Sequence, residues 1–209
     1  MDTRGSIISR MQDALPGDSR LALDLALTLR HDGHGGVADD LTEPAGLTTW
    51  VRARAHDLPV APGYAADATG LTAVRDLRAA VRALFAHAVR PGAPSPADTD
   101  RLLPVPEALD RVNAAAARLP TVPFLYWTEG AGPGVHRRPV PDGGDLTAAL
   151  AHAAIAFLAG PDGQRLRACH APRCVRYFLK DHPRQEWCAP SCGNRARVAR
   201  HHERHRRPS

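Results

Sequence analysis

The clearest chemistry in this sequence belongs to four cysteines. Cys169, Cys174, Cys188 and Cys192 fall within the last 45 residues, spaced C-x4-C, thirteen residues, then C-x3-C. Two close pairs separated by an insert of hairpin length match a structural zinc site, because Zn²⁺ takes four thiolates tetrahedrally at about 2.3 Å. Each pair clips a tight turn onto the metal, and the insert brings the second turn round to face the first. A segment this short cannot bury enough apolar surface to fold alone, so metal binding would supply much of its stability. Two other arrangements use the same residues. Disulfides need an oxidising compartment, and residues 1–18 hold no apolar run of signal-peptide length. An iron–sulfur cluster also takes four cysteines, but clustered arginines and short loops favour zinc. The expected ligand set is Cys169, Cys174, Cys188 and Cys192 around one Zn²⁺.

The second pair opens onto a basic run. CGNRARVARHHERHRR has no Gly or Pro after Gly193, and its residues are good helix formers. Arg197, Arg200, Arg204 and Arg207 fall at i, i+3, i+7 and i+10, which is one helical stripe, with Arg195 beside it. An arginine stripe fixed at a metal suits phosphate contacts and bidentate reading of guanine edges. The expected contacts with DNA are Arg195, Arg197, Arg200 and Arg204, with Arg173 and Arg176 from the first pair touching the backbone. A solvated, fraying helix is the competing reading. Charge distribution supports the first: residues 165–209 hold 12 basic and 3 acidic residues, while residues 1–164 hold 15 and 19. A basic end joined to an acidic body points to a nucleic-acid-binding module on a domain that does something else.

The motif Cys192-Gly193-Asn194-Arg195, with Trp187 just before the third cysteine, resembles the C-terminal zinc finger of the CGNR family. The N-terminal portion of that family is the ABATE domain, and its members are regarded as stress-induced transcription regulators. The resemblance implies DNA binding by the finger and a regulatory, ligand-sensing body. This chain departs from the family in the approach to the third cysteine, KDHPRQEWC, where Asp181 and Glu186 stand among the basic residues. The family also commonly carries an Asn-Thr pair near the start of the body; here Leu27 precedes Thr28. Asp24 and Thr28, four residues apart, are the candidates to face a ligand pocket.

These residues need elements to hold them. Leucines at 21, 23, 25, 27 and 29 alternate with a strand period. The Ala and Leu content, a cap at Asp18 or Ser19 and a stop at Gly33 argue instead for a buried helix. Residues 31–41 read as a loop; His31, Asp32, His34, Asp39 and Asp40 invite a metal site, but such glycine-rich stretches are ordinarily loops. Thr42 is expected to cap the next helix, with Pro44 in its first turn and Leu47, Trp50 and Val51 inside. After a linker at 59–64, the clearest amphipathic helix runs from Thr69 or Thr72 to Arg90. Its stripe is Leu71, Val74, Leu77, Val81, Leu84, Phe85 and Ala88. Arg75, Arg78 and Arg82 fall outside that stripe and are expected on a solvated face.

Another helix covers about 106–118. Val122, Phe124, Leu125, Tyr126 and Trp127, a glycine-rich run, and a return through Val135 to Val140 predict a β-hairpin. The run GAGPG lacks the Lys-Ser/Thr that completes a phosphate loop. Residues 145–160 form a capped, nearly all-apolar helix expected at the centre of the core, and 161–163 join it closely to the finger. In the finger, a knuckle at Cys169 and Cys174 precedes a hairpin of 175–178 with 185–187, then the helix after Cys192. Tyr177, Phe178 and Trp187 are its expected core. The fold expected is mainly α with one β-hairpin and a small C-terminal treble-clef-like zinc finger. Residues 1–163 form an ABATE-like helical regulatory domain, and 164–209 a CGNR-type finger.

A zinc-dependent DNA-binding transcriptional regulator accounts for these features best, with a small-molecule effector or a homodimer as further partners of the body. A zinc-stabilised RNA-binding or protein-interaction module is the alternative. An enzyme is disfavoured: no nucleophile elbow, HExxH, phosphate loop or dinucleotide fingerprint is present, and four thiolates leave zinc no open position. No stretch approaches the roughly 20 apolar residues of a membrane span. The expected location is cytoplasmic, at the nucleoid if DNA is bound.

Overall fold

A computed structural model describes residues 20–34, 36–58, 60, 63–98, 102–130, 132–140 and 144–206. The caps expected at Asp18 or Ser19, and Arg207 of the basic stripe, lie outside the described residues. The first helix is shorter than its sequence suggests. α1 (Arg20–Ala26) buries Leu21, Ala22, Leu25 and Ala26. Thr28 then donates its hydroxyl to Leu25 O at 2.7 Å, and the chain leaves as β1 (Leu29–His31). β1 pairs antiparallel with β2 (Val37–Asp39), Leu29 opposite Asp39. The stretch read as a loop is therefore a short hairpin, its turn closed by Asp32 Oδ1 accepting from His34 N and Gly36 N.

α2 (Pro44–Arg52) has Pro44 in its first turn and buries Leu47, Trp50 and Val51 as expected. Its cap position is Glu43 rather than Thr42, and no side chain there caps it. α3 (Ala68–Ala88) starts one residue before Thr69, the earlier of the two expected starts, because Asp67 accepts from Gly70 N at 2.6 Å. Its stripe is buried from Leu71 through Phe85. Arg78 and Arg82 are not solvated: they are 5% and 2% exposed. A buried guanidinium needs a partner, and each has an aspartate, Asp39 of β2 for Arg78 and Asp98 for Arg82. Asp98 sits in a single 3-10 turn, Pro96–Asp98.

α4 (Val105–Ala117) precedes the expected hairpin of β3 (Thr121–Thr128) and β4 (Gly132–Pro139). Leu125 faces Val135 across it, and all three of Leu125, Trp127 and Val135 are exposed. α5 (Leu146–Ala159) is capped by Asp145, which accepts from Ala148 N at 2.9 Å. It packs on α1, α3 and α4, the central place its composition predicted.

α6 (Pro161–Arg165) occupies the connection and leads into β5 (Leu166–Ala168). β5 pairs antiparallel with β6 (Tyr177–Leu179), Ala168 opposite Tyr177. This corrects the hairpin expected between 175–178 and 185–187. The cause is packing: Leu166 and Tyr177 are almost fully buried in the main core rather than in the finger. Tyr177 stands edge-on to Phe85 at 5.5 Å, and Phe85 lies 5.0 Å from Phe157 of α5. The core is thus continuous across the boundary between body and finger. A second, smaller cluster joins Phe178, Ala171 and three cysteines, with Trp187 against it. α7 (Pro190–Arg206) ends the described chain. Among the described residues every strand pair is antiparallel, and no helix is long and apolar enough to cross a membrane.

Candidate functional site

The four cysteine sulfurs converge. All lie within 4.8 Å of one another, and none forms a disulfide. Cys174 Sγ is 3.7 Å from Cys188 Sγ, which is 3.4 Å from Cys192 Sγ. Bonds of about 2.3 Å to a tetrahedral metal place sulfurs roughly 3.8 Å apart, so the cluster already has the dimensions of a ligand set. Two turns build it. In the first, Cys174 N donates to Ala171 O and Cys169 N to Arg176 O, both at 2.9 Å, with Arg173 in the left-handed region at φ 61°. In the second, Cys192 N donates to Ala189 O at 3.0 Å as α7 begins. Bonds from Cys174 and Cys188 hold the Cys169 thiol far below its usual range, and the same contacts push those two up. One thiolate suppresses the ionisation of its neighbours, so all four ionise together only around a cation. Among the described residues, this is the one group of His, Cys, Asp or Glu spaced to hold a metal; the histidines and aspartates of 31–41 form none.

Two motif residues gain a physical role here. A Cβ on Gly193 would lie 3.1 Å from Trp187 Cδ1, so the glycine lets the indole close over the start of α7. Arg195 turns back, its Nη2 donating to Cys192 Sγ at 3.0 Å. A cation on a ligating sulfur offsets the negative charge of four thiolates. Arg195→Ala is expected to weaken metal affinity by about tenfold, as loss of such supporting contacts does. Competition with a chromogenic chelator measures it, and an unchanged affinity would show that the contact is idle.

α7 presents a definite outer face. Cys192 and Ala196 are buried, so at 3.6 residues per turn the opposite side carries Asn194, Arg197, His201 and Arg204. Arg197, Val198, Arg200, His201 and Arg204 line one shallow strip. Arg197 donates to Asn194 Oδ1. Arg200 and Arg204 fold back, Nε donating to Ala196 O at 3.4 Å and to Arg200 O at 3.3 Å. Arg173 and Arg176 are exposed on the first knuckle. The arginine spacing does not single out Val198 and His201 as members of this strip. A helical wheel anchored on buried Cys192, rather than on the arginines, would have found them.

The body holds two buried ion pairs. Arg78 grips Asp39 through two bonds of 2.6 Å and donates to Thr28 Oγ1 at 2.8 Å. Burial raises the Asp39 pKa, but the Arg78 bonds, the Leu41 amide and nearby arginines outweigh it and hold the carboxyl below its usual range. Arg82 grips Asp98 at 2.7 and 3.0 Å and donates to Ala26 O at 2.5 Å. Asp98 also accepts from Tyr177 OH at 2.7 Å, and Ser95 Oγ donates to Val175 O at 2.8 Å. Burial first, then the Asp98 charge, pushes the Tyr177 pKa up, so it stays a donor. A cleft of about 650 Å³ opens beside these pairs, with Leu29, Val37, Asp39, Arg75, Arg82 and Asp98 among its walls. Asp24 and Thr28 have separate partners: Asp24 pairs with Arg54 at 2.9 Å, while Thr28 is buried against Arg78.

Two protein-family models match the chain. ABATE, whose description is "Putative stress-induced transcription regulator", covers residues 19–161, and the CGNR zinc finger covers residues 165–205. No curated protein matches the chain.

Proposed function

This chain belongs to the ABATE family, and we propose that it is a zinc-dependent DNA-binding transcription regulator whose helical body senses a small molecule. The observation that carries the reading is the outer face of α7, cationic from Arg197 to Arg204 and fixed at its root by four cysteines. Zinc is the metal that a compact four-thiolate tetrahedron suits, and a closed set of this kind serves structure rather than catalysis. The metal fixes the first turns of α7, so its arginines are presented in register instead of sweeping through solvent. Their strip meets the phosphate backbone, where each neutralised phosphate releases counterions and makes binding salt-dependent. The cleft is the place for an effector. Asp98 in its wall accepts from the Tyr177 hydroxyl and Arg82 lies over the Tyr177 ring, so a molecule lodged there would act on β6, the strand between the two cysteine pairs.

The triple variant Arg197→Ala/Arg200→Ala/Arg204→Ala tests this reading. Its plot of log K against log salt should be shallower than wild type by about three, near one for each lost phosphate contact. Anisotropy titrations at two or more salt concentrations measure the slope. Zinc-loaded protein that ignores DNA at low salt, or binds equally well without these arginines, would end the DNA-binding reading. A protein-interaction or RNA-binding module would then be the better account.

A further inference from the structure

Val198 is the odd member of the strip. It is 56% exposed, and among the described residues from 165 onward it is the one large apolar side chain so exposed. Arg197, Arg200, His201 and Arg204 line the same shallow surface. Glu203, the one acid of α7, is not among the residues that line this surface. The strip is therefore a cationic surface with a single apolar knob. Phosphate oxygens attract the arginines but gain nothing from a valine.

The charge commits the strip to a polyanion, and the knob narrows the choice. In the major groove of duplex DNA one group on the base edges is apolar, the C5-methyl of thymine. That groove also admits an α-helix. Uracil lacks the methyl, and the major groove of A-form RNA is too deep and narrow for side chains to read. We infer that α7 enters the major groove of DNA with Val198 against a thymine methyl, making Val198 the residue that selects an A·T pair at one position of the site. The inference rests on the DNA-binding reading above and adds to it a base contact and a preferred base.

The test uses the zinc-loaded full chain. Duplexes are selected from a random library, and the best is remade with deoxyuridine in place of thymidine, one position at a time. At one position the substitution should weaken wild-type binding about fourfold, the worth of one buried methyl group. Val198→Ala, with its metal content checked, should bind the thymidine duplex at least fourfold more weakly and lose nothing further with uridine at that position. Val198 is exposed, so the variant folds. A wild type indifferent to uridine at every position overturns the inference. So does a Val198→Ala protein that loses the same fourfold at the same position, or selection of RNA over duplex DNA. Failure to retain any DNA at low salt would bring down the DNA-binding reading and this inference together. DNA retained with no uridine effect removes this inference alone.

Discussion

Chelating the metal from the intact chain is expected to unfold the two cysteine turns and α7 while the helical body stays folded. Phe178, Trp187, Ala171 and the cysteines themselves are nearly all the apolar material around the metal. α7 buries only Cys192 and Ala196 firmly, and an isolated helix of 17 residues is marginal in water. Structural zinc contributes about 10–16 kcal/mol in small fingers, so little else holds this segment. The body differs, because its core runs through α1, α3, α4 and α5 and includes Leu166, Ala168 and Tyr177. β5 and β6 should therefore remain docked when the knuckles and α7 let go. Hydrogen exchange reads this directly: protection should vanish across α7 and persist in α3 and α5. Cys174→Ser should reproduce the pattern. Protected α7 amides in metal-free protein would refute the account.

Asp98→Ala is the second large effect, expected to cost about 3–5 kcal/mol of global stability. The Arg82 and Asp98 side chains are 3% and 7% exposed, so the substitution strands a guanidinium in the core with only Ala26 O and Ser95 Oγ left to it. It also takes the acceptor from the Tyr177 hydroxyl. Against a total stability of roughly 5–15 kcal/mol for a folded domain, the loss is severe. Urea unfolding monitored by circular dichroism measures it. The double variant Arg82→Met/Asp98→Ala should recover part of the loss, because it removes the stranded charge. A double variant less stable than Asp98→Ala would show that Arg82 holds the site by its other contacts.

How much of this was legible depended on how local the signal was. The cysteine spacing, the cap at Asp145 and the stripe of α3 are each written within one segment, and the structure has all three. The burial of Arg78 and Arg82 is not local. Both fall off the apolar stripe of their helix, as solvated residues do. What draws them inside is Asp39, 39 positions before Arg78, and Asp98, 16 positions after Arg82. Nothing near either arginine announces its partner. Tyr177 misled for a related reason: its neighbours in sequence are the finger's, but its ring belongs with Phe85 and Phe157. The pairing of β6 with β5 followed that ring. The leucine stretch reads as helix to Gly33, but the Thr28 bond to Leu25 O marks where the helix gives way to β1.

The anchoring of Tyr177 in the main core has a mechanical consequence. One knuckle of the metal cluster is welded to the body through β5 and β6, and α7 projects from the other side of the cluster as a stiff rod. At 1.5 Å per residue, its 17 residues span about 25 Å. A lever of that length amplifies: turning its root by about 5° carries its tip about 2 Å. Hydrogen bonds tolerate only a few tenths of an ångström, so in the proposed complex with DNA a rotation too small to disturb the packing around Phe85 would lift the distal arginines off the phosphates. A shift of the Arg82–Asp98–Tyr177 contacts need therefore only be slight to be amplified at the far end of α7.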